Sequence, residues 1–265
     1  MKLIKSNLAI ALAAAVALNG CGSGEDEETT AINIPEDTAP PSISIEQAKL
    51  LNEPADALLE SSVRLSLSKA AKEEVTLSYE VTALTATAGV DFEISAGDIT
   101  IPIGSLSSTI SFNVLPDSFD EEDETFLISI SDPKNATLKT GFTESIVTIR
   151  DTDPTPSAGF TTDVASVTED TGLFSVELKV DTASGKEIQL PFMLSGLATE
   201  SQDYNVLTES PVIVASGQTS GLIKFEILKD SVPEGGESIV IELLEPSNAV
   251  LSDENKLTVI VNGDL

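Results

Sequence analysis

One pattern runs through this chain twice, and it is the alternation of buried strands. Val63, Leu65 and Leu67 alternate with polar neighbours, as do Val75, Leu77, Tyr79 and Val81. Ile110, Phe112 and Val114 continue it, followed by Phe126, Ile128 and Ile130, then Val147 and Ile149. The second half repeats the series: Phe174 to Val180, Ile188 to Leu194, Ile223 to Ile227, Ile239 to Leu243 and Leu257 to Val261. Each run is short and bounded by Gly, Pro, Asp, Asn or Ser, which predicts antiparallel strands with one buried face. No stretch beyond the first twenty residues sustains a helical period over three turns.

The polar landmarks recur with the strands. Asp91 and Asp203 are 112 residues apart, Glu121 and Glu234 are 113 apart, and Asp153 and Asp264 are 111 apart. A repeat of that length predicts an all-β chain of two tandem antiparallel β-sandwiches, each of immunoglobulin-like size. The boundaries fall at 42–153 for the first domain and 157–265 for the second. Pro154-Thr155-Pro156 forms the joint, and a linker this short with two prolines predicts a semi-rigid rod.

The residues before this repeat read as an address. Lys2 and Lys5 precede the apolar run Leu8 to Ala17, and Leu18-Asn-Gly-Cys21 follows. A charged start, a short apolar run and small residues before a cut predict a secretory signal peptide over 1–20. The run is too short to cross a bilayer comfortably. Cys21, the sole cysteine, stands where a bacterial lipoprotein signal places the lipidated residue. The expectation is an exported protein anchored by Cys21 to the bacterial outer membrane, facing the periplasm or the surface. Glu25-Asp-Glu-Glu28 and the prolines Pro35 to Pro41 make 21–41 a solvated tether.

Composition removes several functions. The chain has 44 acidic and 14 basic residues, no His and a formal charge of −30. Without His, a Ser-His-Asp relay or an imidazole-bound zinc is excluded. The charge makes nucleic acid an unfit partner and draws hard cations or basic surfaces instead. With one Cys, no disulfide can brace either domain.

The informative acids lie between strands. Asp117-Ser-Phe-Asp-Glu121-Glu-Asp-Glu124 follows the strand ending at Val114, and Asp230-Ser-Val-Pro-Glu234-Gly-Gly-Glu237 takes the same place in the second repeat. Such a loop repels itself unless water or a cation neutralises it, and calcium, which takes six to eight oxygens in flexible geometry, suits the spacing Asp-x-x-x-Glu-x-x-Glu. Other acids recur with it. Each repeat has an opening Glu (Glu53, Glu169), an Asp before an aromatic residue (Asp91, Asp203) and a closing polar triplet (Asp151-Thr-Asp153, Asn262-Gly-Asp264).

In these segments the chain resembles the Calx-beta domain of sodium/calcium exchangers, some integrin chains and many bacterial surface proteins. The carrying stretches are Thr85-Ala-Thr-Ala-Gly-Val-Asp91-Phe, Asp117 to Phe126 and Ile149-Arg-Asp-Thr-Asp153, then Ser166-Val-Thr-Glu169, Ser201-Gln-Asp203-Tyr, Asp230 to Glu237 and Val261-Asn-Gly-Asp264. The resemblance implies a seven-stranded sandwich with calcium clustered at one tip. For the first domain it implies the ligands Glu53, Asp91, Asp117, Glu121, Glu124, Asp151 and Asp153, with the carbonyl of Phe119. For the second it implies Glu169, Asp203, Asp230, Glu234, Glu237, Asn262 and Asp264, with the carbonyl of Val232.

Two departures separate the copies from the family pattern and from each other. Pro116 and Lys229 stand where calcium-binding members carry a further Asp, and Thr152 and Gly263 replace the middle Asp of the triplet. The first set holds seven carboxylates, while the second holds six with an ammonium beside them, so fewer ions or weaker binding are expected there. Affinities on the order of submillimolar to millimolar, as in extracellular modules, are expected for both. The function implied is a calcium-braced rod for adhesion, scaffolding or presentation, with a protein or glycan partner at the cell surface left open. The alternatives are a calcium-independent spacer and a carboxylate-based glycoside hydrolase. The hydrolase reading lacks the aromatic residues that line a sugar cleft, since the chain has 9 Phe, 2 Tyr and no Trp. A non-enzymatic role is therefore expected, because function must be argued from a site and not from the fold.

Overall fold

A computed structural model describes residues 38–229 and 235–263. The residues expected to form a signal peptide, Cys21 and most of the expected tether lie outside the described residues, as do Asp230, Val232, Glu234 and Asp264. The first repeat forms β1 (Ser42–Ile45), β2 (Ala48–Asn52), β3 (Leu59–Leu67), β4 (Val75–Ala83), β5 (Phe92–Glu93), β6 (Gly97–Ile101), β7 (Ser107–Val114), β8 (Glu124–Lys134), β9 (Thr137–Leu138) and β10 (Glu144–Arg150). They make two sheets, ordered β5-β7-β3-β1-β9 and β2-β10-β8-β4-β6. The alternating residues meet between them: Val63, Leu65, Val75, Ile110, Val114, Phe126, Ile128 and Val147 are almost wholly buried. This is the expected sandwich, built as a mainly antiparallel all-β fold with two short extra strands, β5 and β9.

Its first strand switches sheets. β1 pairs antiparallel with β3, whereas β2 pairs parallel with β10. Alternation alone does not carry across this switch, because Gln47 and Lys49 interrupt it between Ile45 and Leu51. The switch positions the site, since the parallel register ends at Asn52 opposite Arg150. Glu53 therefore leaves the sheet beside Asp151, and the Glu53 N–H donates to the Arg150 carbonyl at 2.8 Å.

The second repeat forms β11 (Ser157–Phe160), β12 (Val164–Thr168), β13 (Leu173–Val180), β14 (Ile188–Leu190), β15 (Phe192–Gly196), β16 (Tyr204–Val206), β17 (Val212–Val214), β18 (Ser220–Ile227), β19 (Glu237–Leu243), β20 (Val250–Leu251) and β21 (Lys256–Asn262). Its sheets run β16-β18-β13-β11-β20 and β12-β21-β19-β15, with β14-β17 as a separate pair. The same strand switch occurs: β12 pairs parallel with β21, and Thr168 faces Asn262. The run Ile188 to Leu194 is not one strand, as its alternation suggested. Pro191 has no N–H to donate, and there the chain breaks into β14, which pairs with β17, and β15, which pairs with β19. The two repeats have separate cores, one around Phe126 and one around Phe225. Between them Pro156 is buried, and its carbonyl accepts from the Val250 N–H at 2.9 Å.

Candidate metal centre

Backbone pairing carries four separated segments of the first domain to one end of the sandwich. β5 pairs with β7 so that Phe92 faces Val114, and the Leu115 N–H donates to the Asp91 carbonyl at 2.9 Å. Asp117 follows two residues on. β8 begins at Glu124, which faces Ile149 of β10, two residues before Asp151. Phe92 and Phe126 stack with ring centroids 4.0 Å apart, and Phe112 meets Phe126 edge-on. These rings lie one residue after Asp91 and two after Glu124, so the core holds both carboxylates in place from below.

The loop before Phe92 folds around its own acid. The Thr87 N–H donates to Asp91 Oδ2 at 2.6 Å, and Gly89 takes φ +82, a left-handed turn that favours glycine. The second domain copies the device: the Thr199 N–H donates to Asp203 Oδ2 at 2.6 Å, and Ser201 occupies the turn at φ 70. Asp91 and Asp203 are thus structural caps of their loops, whatever else they bind.

Six of the seven acids assigned to the first set, Glu53, Asp91, Asp117, Glu121, Glu124 and Asp151, line one small cavity. Two triplets of carboxylates converge there. Glu53, Asp117 and Asp153 bring oxygens within 4.8 Å of one another, and so do Asp91, Glu121 and Glu124. Asp151 joins the triplets, because its Oδ2 accepts from the Glu121 N–H at 3.1 Å and its Oδ1 from the Asp153 N–H at 3.1 Å. The Asp117 N–H donates to Glu53 Oε1 at 2.9 Å. Asp117 Oδ1 in turn accepts from the Phe119 N–H at 2.8 Å and tightens the acidic loop. Phe119 belongs to that loop but not to the cavity's lining.

Crowding shows in the acidities. Burial, and then the charges of Asp117, Asp153 and Asp151, push Glu53 up to about 7, against the hydrogen bond from the Asp117 backbone. Burial, a hydrogen bond with Asp91 and the charges of Asp91, Glu121 and Asp117 push Glu124 up to about 8. Glu121 is raised by burial and by Asp117, Asp91 and Asp151, and Lys186 opposes that rise. Asp153 is raised by burial and by Asp151, Asp117 and Asp120. A group of carboxyls that resists losing its protons near neutrality is one that a cation would discharge. The donors are all hard oxygens from carboxylates and loop backbone, a set that fits calcium and holds no soft or imidazole ligand.

In the second domain, the described part of the set is differently occupied. Glu169 is buried on a one-turn 3-10 helix, Glu169–Thr171. Its neighbour Asp170 takes the Lys229 ammonium at 2.6 Å. The Asn262 side-chain amide donates to Ser166 Oγ at 2.8 Å and to the Val167 carbonyl at 3.0 Å, pinning β21 to β12. Glu237 opens β19, as Glu124 opens β8. Among the described residues, both convergent carboxylate triplets belong to the first domain.

Two residues at the first tip escape sequence reasoning. Asp120, inside the acidic loop, is 5% exposed, and Lys186 of the second domain donates to its Oδ1 at 2.8 Å. The acid's place in the loop is a signal for Asp120. Nothing in the sequence pairs it with a lysine 66 positions away.

The family model described as Calx-beta domain matches residues 36–153 and 151–264. The sodium/calcium exchanger Calx of Drosophila melanogaster is 30% identical over 171 residues, which is 63% of this chain and 18% of that protein. Adhesion G-protein coupled receptor V1 of Danio rerio is 26% identical over 183 residues, 66% of this chain and 3% of that protein. The chain thus spans less than a fifth of the length of either curated relative. Among solved structures, CBD12 from CALX1.2 covers 83% of this chain, and all of CBD12 is matched, at 20% identity and a TM-score of 0.40. The apo form of the Calx CBD1 domain covers 43% of this chain and is matched over 99% of its own length, at 26% identity and a TM-score of 0.39.

Proposed function

Because this chain belongs to the Calx-beta domain family, with two of these calcium-binding domains in tandem, we propose that its first domain binds calcium at the acidic tip and that the ions brace the protein. The observation that carries this reading is the convergence of two carboxylate triplets around Asp151, with Glu53 and Glu124 raised to about 7 and about 8. Glu53, Asp91, Asp117, Glu121, Glu124, Asp151 and Asp153 would hold the ions, and calcium would supply the positive charge that lets these residues ionise together. In a chain without disulfides, that neutralisation takes over the bracing role of a covalent cross-link. Asp151 and Asp153 run directly into Pro154-Thr155-Pro156, so ordering the tip also orders the residues that enter the linker. Calcium stabilisation without turnover is the expected behaviour, since no aromatic side chain lines the cavity to hold a sugar.

The test is thermal unfolding in chelator and in millimolar calcium, beside the double variant Glu121→Gln/Glu124→Gln. A calcium-dependent rise of several degrees, lost in the variant, is expected. Superimposable curves would leave a spacer whose acids are solvated. For the second domain a calcium-independent role is the reading favoured by the Lys229–Asp170 pair at 2.6 Å, which places a built-in cation on the residue that follows Glu169.

The role in the cell follows from the first residues. Lys2, Lys5, the apolar run and Leu18-Asn-Gly-Cys21 support export and lipidation at Cys21. The protein would then stand on the bacterial outer membrane as a tethered rod that presents, scaffolds or adheres, with a protein or glycan as partner. In a bacterial host, the wild type is expected in the detergent phase of a cloud-point extraction and Cys21→Ser in the aqueous phase. Equal partition of the two would remove the anchor from this reading.

A further inference from the structure

Lys186 belongs to the second domain, but its charge is committed to the first. The segment between β13 and β14 reaches the acidic loop and fits onto it residue by residue. Ser184 and Asp120 form a parallel β-bridge, and Ser184 Oγ and the Gly185 N–H both donate to the Asp120 carbonyl, at 2.8 and 3.2 Å. Ser184 is buried, and its Oγ also accepts from the Lys186 N–H at 3.0 Å, which fixes the lysine's direction. Gly185 lies so close to Glu121 that a Cβ there would collide with that side chain. Lys186 Nζ then meets Asp120 Oδ1 at 2.8 Å and stands 3.9 Å from Glu122 Oε1, with its side chain only 19% exposed.

Asp120 explains why a cation is wanted there. It lies between Phe119 and Glu121 in the loop, and its Oδ2 is buried without a hydrogen-bond partner among the described residues. A buried carboxylate among so many others is costly unless a positive charge neutralises it. From this geometry we infer that Lys186 is a tethered counter-ion, lent by the second domain to the metal centre of the first, which claims Asp120 and competes with calcium for the tip's negative charge. The inference rests on the calcium reading and gives the site a regulator. Calcium affinity in domain one is set in part by the docking of residues 184–186. The coupling is reciprocal, so ion loading loosens that docking.

The experiment uses the full chain at fixed ionic strength. Calcium is titrated calorimetrically into wild type, Lys186→Met and Lys186→Arg, and each is unfolded in chelator. Lys186→Met is expected to bind calcium about tenfold more tightly, because a like charge near the ions is gone. Its metal-free midpoint is expected to fall. Lys186→Arg should match wild type in both measurements. Asp120→Asn added to Lys186→Met should recover the metal-free midpoint, which shows that the loss came from an unpaired charge and not from disrupted packing. Weaker or equal calcium binding in Lys186→Met overturns the competition. If wild type takes up no calcium, the calcium reading fails by itself. The metal-free midpoints then still decide whether Lys186 neutralises the tip, and an unchanged midpoint in Lys186→Met overturns that role.

Discussion

Glu53 and Glu124 hold their protons well past the point at which a free glutamate has lost them, at about 7 and about 8 against an ordinary 4.5. Burial is the leading cause for each, and neighbouring carboxylates add to it. Such a group binds its proton more tightly in the fold than in the unfolded chain. Its contribution to stability is full below the unfolded value of 4.5 and is lost as pH rises through the folded values of about 7 and about 8. In chelator, the first domain should therefore melt several degrees higher at pH 5 than at pH 8.5. Calcium acts in the opposite direction, because it needs the same carboxyls deprotonated and so binds better as pH rises. Thermal unfolding across pH, with and without calcium, checks both slopes. A metal-free midpoint that climbs between pH 5 and 8.5 would contradict the crowding of this tip. Glu124→Gln should flatten the metal-free slope, since it removes the more strongly shifted acid.

At the scale of elements, what could be read ahead of the structure followed from periodicity. Alternation located most strands and their buried faces, because a residue such as Ile128 is buried by the pleat itself and needs no distant partner to be recognised. The acidic loop from Asp117 to Glu124 was equally legible, since its carboxylates are contiguous and their repulsion is a local fact. Three things were not legible. The sheet switch between β1 and β2 falls where Gln47 and Lys49 interrupt the alternation between Ile45 and Leu51, and only the parallel pairing with β10 reveals that Glu53 arrives beside Asp151. The break at Pro191 is covered by continuing alternation, as Leu190 and Phe192 are both buried on either side of it. Lys186 is the third, because its role depends on how one domain's loop meets the other's. The element that delivers it, Ser184 to Lys186, is polar and short and reads as an ordinary turn. The stack of Phe92 on Phe126 adds a difference between the copies. In the second domain Tyr204 and Phe225 meet edge-on, and Ile239 stands two residues after Glu237 where Phe126 stands two after Glu124. Among the described residues, the stacked aromatic pair that bridges the two acids' strands belongs to the first tip.

The whole molecule sets charge against two independent cores. With a formal charge of −30, the chain repels itself in any compact state, and this burden falls on both domains. Added sodium chloride screens charges more than about 10 Å apart at 0.1 M and should raise the melting of both domains gradually. Calcium should act otherwise. It binds where oxygens converge, and the described convergence lies in the first domain alone. Because the cores around Phe126 and Phe225 are separate, unfolding by calorimetry should resolve into two transitions. At a calcium concentration a hundred times its dissociation constant, one site adds about 2.7 kcal/mol to the fold that binds it. For a domain of this size that corresponds to a shift of roughly 10 °C. The calcium-sensitive transition should be the one that Glu121→Gln/Glu124→Gln alters, and the other should move no further than sodium chloride at equal ionic strength moves it. If calcium raises both transitions further than sodium chloride at equal ionic strength does, the second domain carries a site of its own that outweighs Lys229. If neither outruns the salt effect, the acids of the first tip are solvated and the molecule is a spacer stabilised by screening alone.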